Sequence, residues 1–165
     1  MSFWLLTLSY WIHLLATVVW LGGLALMGLV AWPALQQQTL AANHWLELQK
    51  RFTPWINGSL VILLITGFVQ MTNDPNYDGF LQVGTLWAQA ILVKHIAVGA
   101  MILIGAYVQW RLHPEMERIG LLAAKRPELA AEEQAAVLRR ENRLLRLNLL
   151  CAAAVLFFTA VATAV

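Results

Sequence analysis

The chain has 165 residues, of which 60% are hydrophobic and 12% charged, with a formal net charge of +2. A soluble globular domain carries ~45–50% apolar and ~25% charged residues, so this composition excludes an ordinary soluble domain and indicates an integral membrane protein. So small a charge excess gives no reason to invoke nucleic acid; the partner named by the composition is the lipid bilayer.

Four apolar stretches, residues 3–32, 54–71, 86–110 and 147–165, are long enough to cross the bilayer. About 20 helical residues are needed for a hydrocarbon layer ~30 Å thick. The expected fold is therefore all-α: a single membrane domain over residues 1–165, built as an up-down bundle of four transmembrane helices. The first stretch has no basic residue ahead of it and is far longer than the apolar core of a signal peptide, so it is expected to remain as helix 1. It should end near Trp32-Pro33, because the residue before a proline avoids the helical region. The polar segment "QQQTLAANHWLELQKR" then lies along the membrane interface.

Helix 2 is expected to open at Thr53-Pro54, with threonine as N-cap and proline at the first helical position, and to run to the "NDPN" turn. The sequon Asn57-Gly-Ser falls at membrane depth and is discounted. Helix 3 follows the acidic connection "TNDPNYDG", which holds Asp74 and Asp78, and should stop at His113-Pro114. From Pro127 the sequence "PELAAEEQAAVLRRENRLLRLNLL" is rich in helix formers, so a cytoplasmic helical extension is expected to run directly into helix 4. The single cysteine, Cys151, cannot form an intrachain disulfide and reads as a packing residue.

Ten of the eleven basic residues fall in the two connections before helix 2 and before helix 4, and none in the acidic connection. A bacterial inner membrane is the expected location, and the positive-inside rule sets the orientation. Both termini and the acidic loop would face the periplasm, and the basic connections the cytoplasm. The arginines of the extension read as a solvated, headgroup-facing surface, with docking to a larger complex as the alternative.

Ionisable groups within membrane spans are costly, and three occur here: His13, Lys94 and His95. Measured from Trp4 and Leu86 as outer ends, the two histidines lie at the same depth, nine residues in. Helices 1 and 3 are diagonal partners in such a bundle, so level histidines suit axial ligation of a haem from both faces, with b-type haem as the cofactor. Lys94 lies about 100° around the helix from His95 and points elsewhere, either as the one cation of the outer half available to haem propionates or as a deprotonated ligand or proton-transfer group. Trp20, seven residues after His13 on the same face, floors a cofactor pocket or packs the core. The glycines Gly22, Gly23, Gly28, Gly58, Gly67, Gly99 and Gly105 let a macrocycle approach or serve helix packing. Trp32, Trp55, Trp87 and Trp110 stand at predicted helix ends, as an interfacial belt does. Met27, Met71 and Met101 raise copper as the alternative, since thioethers suit Cu(I), but they form no cluster with the histidines along the chain.

"HLLATVVWLGG" in helix 1, "RFTPWINGSLVILLITGFVQ" in helix 2 and "GTLWAQAILVKHIAVGAMILIGA" in helix 3 resemble the copper-resistance CopD domain family over roughly residues 10–110. The His-to-Trp spacing of helix 1 and the lysine of helix 3 are also similar to HemJ-type protoporphyrinogen oxidases, four-helix proteins associated with b-type haem. That second resemblance implies functional roles for His13 and Lys94; His95 is a residue that neither family has at that position. Two functions are therefore expected in order. The first is a haem b membrane protein with His13 and His95 as ligands, acting as an oxidoreductase or electron carrier with a membrane or periplasmic redox partner. The second is CopD-like copper transport or homeostasis without haem. A homo-oligomer is compatible with both.

Overall fold

The computed structural model describes residues 2–37, 39–77, 79, 83–123 and 125–165; Asp78, singled out above in the acidic connection, lies outside the described residues. Among them there is no strand, and four helices are long and apolar enough to span a bilayer. We number these α1 (Phe3–Gln36), α2 (Ala42–Thr72), α3 (Leu86–Ala123) and α4 (Pro127–Ala164). The expected four-helix bundle with its helical extension before the last span is thus the observed fold. At 1.5 Å per residue the 34 residues of α1 reach about 50 Å, and the 38 residues each of α3 and α4 about 57 Å, well beyond a ~30 Å apolar layer.

Three expected helix ends move, each for a local reason. A proline lacks the N–H that bonds four residues back, and its ring collides with that carbonyl. For Pro33 the carbonyl belongs to Leu29, and for Pro114 to Trp110. Both lie in π-helical turns, Leu26–Ala31 and Val108–Leu112, whose wider winding lets the chain pass its proline without stopping. Helix α1 consequently runs on to Gln36 and α3 to Ala123. The third correction is the start of α2, which lies at Ala42 rather than at Thr53 and leaves Pro54 inside the helix. Thr53 does not cap; its hydroxyl donates to the Gln49 carbonyl at 2.9 Å. Burial of Trp45, edge-on to Trp32 with ring centroids 5.7 Å apart, packs the polar segment against the end of α1.

The helices pack as two antiparallel hairpins, α1 with α2 and α3 with α4. The hairpins meet at mid-height, where Trp20 and Leu24 of α1 are buried with Met101 of α3 and Ala152 of α4. Glycine sets the approach in two places. An added Cβ at Gly28 would come within 2.6 Å of a Leu149 methyl on α4, and one at Gly23 within 3.2 Å of Ile56 on α2. Those two glycines therefore serve helix packing; Gly22, Gly58 and Gly99 have nothing within 4 Å.

The expected tryptophan belt is half right. Trp55 and Trp110 face outward, but Trp32 and Trp87 are buried, Trp32 on Trp45 and Trp87 against Tyr77. Position at a helix end fixes depth in the bilayer, and helix rotation decides which way the ring points.

Candidate functional site

Above and below the mid-height contact the hairpins part, leaving one cavity toward the end with the acidic connection and a second toward the basic end. The acidic-end cavity, about 500 Å³, receives His13 from α1, Gly67 and Met71 from α2, Lys94 and His95 from α3, and Asp74 from the connection. The two level histidines of diagonal helices thus open on one space.

Both imidazoles are fixed by their hydrogen bonds. Thr66 of α2 donates its single hydroxyl proton to the Ile62 carbonyl at 2.6 Å, so toward His13 Nδ1, 2.8 Å away, that oxygen is an acceptor. His13 therefore carries its proton on Nδ1. The same assignment follows for His95, whose Nδ1 lies 2.7 Å from the Ile91 carbonyl, a group that can only accept. In each ring the lone pair is left on Nε2, the arrangement in which an outer hydrogen bond orients a metal-binding histidine. Gly67 makes room for this geometry: a Cβ there would touch His13 Cε1 at 3.5 Å.

Lys94 and His95 do not diverge as their 100° separation suggests. Ile91, Lys94, His95 and Val98 all line the cavity, a stripe at spacings of three, four and seven that is wide enough to hold two neighbouring residues. Lys94 thus lines the same cavity as the His13 ring. Trp20 packs the core: it is 3% exposed within the apolar mid-height cluster, and it also lines the cavity.

Met71 escaped the reading by residue order, since it is far in sequence from either histidine. It is buried and lines the same cavity. Its periodicity was the available signal, because Leu60, Leu64, Gly67 and Met71 recur at spacings of four, three and four along α2 and all line this cavity. His13, His95 and Met71 together bring two imidazole nitrogens and a thioether to one space, donors suited to Cu(I). Among the described residues no group of three or more His, Cys, Asp or Glu could hold a metal ion, so a site built on acidic and imidazole ligands alone is not formed.

The family model for Copper resistance protein D (CopD) matches residues 46–162. The chain belongs to the CopD family. The matched region takes in nearly all of α2 and the whole of α3, and continues through α4 almost to its end. The resemblance first drawn over residues 10–110 is thereby extended at its C-terminal side, while His13 and the "HLLATVVWLGG" segment fall outside the match. No curated protein matches this CopD chain, and no solved structure does. The comparisons bring no support for the HemJ-type resemblance or for haem.

A second polar site was not anticipated. Glu141, which stands among the arginines of the extension, is 3% exposed. Its carboxylate accepts from Trp45 Nε1, 3.2 Å from each oxygen, and from Gln49 Nε2. It lies in the wall of the basic-end cavity, about 420 Å³, together with Met27, Gln49, Asn57, Met101, Gln109, His113 and Asn148. Asn57 and Gln109 exchange amide hydrogen bonds at 3.1 and 3.2 Å and so cross-link α2 to α3.

Proposed function

We propose that this CopD-family membrane protein handles copper within the bilayer, with the acidic-end cavity as a transient Cu(I) site. The observation that carries the reading is the convergence of His13, His95 and Met71 on one cavity of a chain that belongs to a copper-resistance family. The Nε2 atoms of the two histidines and the Met71 sulfur are the donors. Asp74, at the mouth, draws cations toward the cavity. Lys94 opposes their retention, since a positive neighbour in a low-dielectric space weakens the binding of a second cation, and a transport site must release what it binds. The distribution of basic residues supports an orientation in which this cavity opens to the periplasm.

Copper thereby takes precedence over the haem b reading, which had rested on the same histidines. Purification from copper-supplemented cells, followed by elemental analysis and an absorption spectrum, tests the choice. The expected result is copper that is lost in a His13→Ala, His95→Ala double variant, with no Soret band. A Soret band with split α and β bands, abolished by the same double variant, would overturn the copper reading in favour of bis-histidine haem.

A further inference from the structure

The two cavities share part of their lining: Trp20, Leu60 and Leu64 belong to both. These three are apolar except for the indole N–H, and Trp20 is locked among Leu24, Met101 and Ala152. Polar groups lie on either side of them. His13, Thr17, Gln70, Lys94, His95 and Thr159 line the acidic-end space; Gln49, Thr53, Asn57, Gln109, His113 and Asn148 line the other. Two mostly apolar cavities, each carrying a few polar side chains and separated by a wall with none but the indole N–H, are the arrangement of a closed path, because an ion shedding its ligands meets no replacement at the wall.

Glu141 gives the basic-end compartment a charge. Its hydrogen-bond donors, Trp45 and Gln49, are both neutral, and among the described residues no cation pairs with it. A carboxylate buried with neutral donors alone is unfavourable until a proton or a metal cation neutralises it. Soft donors stand along the way. Met101 packs with Trp20 at the wall, and Met27 lies in the same buried cluster as Trp45. His113 Nε2 and Asn148 Oδ1 are buried on this cavity without a hydrogen-bond partner.

From these placements, and resting on the copper reading above, we propose that the two cavities are halves of one Cu(I) path closed at Trp20, Leu60 and Leu64, with Glu141 as the cation-binding group of the basic-end half. The ion leaves the histidine nitrogens, passes the wall when the hairpins shift, and enters the basic-end cavity, whose lining holds the Met27 and Met101 thioethers as soft donors and the Glu141 carboxylate as counter-charge.

The experiment uses the full chain and Ag(I), a redox-inert stand-in for Cu(I). Calorimetric titration in detergent is expected to show two classes of site. The His13→Ala, His95→Ala variant should lose one and Glu141→Gln the other. Met27→Leu, which leaves the carboxylate in place and covers the case of a poorly folding Glu141→Gln, should weaken the second class by about tenfold or more. In proteoliposomes with an entrapped Ag(I)-binding dye, Trp20→Ala should raise the rate of entry. Unchanged binding in Glu141→Gln and Met27→Leu would sink the second site, and an unchanged rate in Trp20→Ala would sink the barrier, with the first site left standing in both cases. Absence of any Ag(I) binding to the wild-type protein would instead remove the copper reading, and this path with it.

Discussion

Replacing Thr66 by valine isolates the contribution of a single hydroxyl to the acidic-end site. The substitution is nearly isosteric at a position only 8% exposed, so packing is conserved while the 2.8 Å partner of His13 Nδ1 disappears. A hydrogen bond of this kind contributes ~0.5–1.5 kcal/mol, and interhelical polar contacts in bilayers average ~0.6 kcal/mol with a maximum near ~1.7. At ~1 kcal/mol, with RT ≈ 0.59 kcal/mol, the expected loss of Ag(I) affinity at the site is about fivefold. It acts through geometry and tautomer: without the acceptor, His13 is free to rotate and to place its proton on Nε2, the atom that must bind the metal. The assay is a competition titration of the purified protein, with circular dichroism to confirm that the helices are intact. Thr66→Ser, which restores the hydroxyl, should return most of the affinity. Equal affinities in wild type and Thr66→Val, or equal losses in the serine and valine variants, would refute the assignment of Thr66 as the group that orients His13.

Two further substitutions probe the close helix contacts. Gly67→Leu should displace the His13 ring, because a Cβ there already reaches Cε1 at 3.5 Å and the remaining side chain enters the ring's space; Ag(I) binding should fall further than in Thr66→Val, while Gly67→Ala stays near wild type. Gly28→Val should lower thermal stability by ~1–3 kcal/mol, read as a shift in the melting curve in detergent, because its branched carbon meets the Leu149 methyl that a Cβ approaches at 2.6 Å. Gly28→Ala should cost less, since a leucine methyl can rotate away.

The sequence by itself determined the number of spans, their antiparallel order, the all-helical fold and the separation of basic from acidic connections. Those properties answer to the bilayer as a solvent, which reads hydropathy and charge residue by residue. It also singled out His13, Lys94 and His95, because an ionisable group in a lipid-soluble run stands out wherever it points. Side-chain direction was decided only by the tertiary structure. Pro33 and Pro114 read as helix stops until π-helical turns carry the chain past them. Met71 joins the histidines, and Lys94 shares their cavity, through the rotation of α2 and α3 and the gap between hairpins that touch at Trp20. Glu141 looks like a surface charge in "RRENR" and is buried because Trp45 and Gln49 of a distant helix close over it. Depth in the membrane is written in local composition, but the partners across the bundle are set by long-range contacts such as Gly28 on Leu149, which no local pattern records.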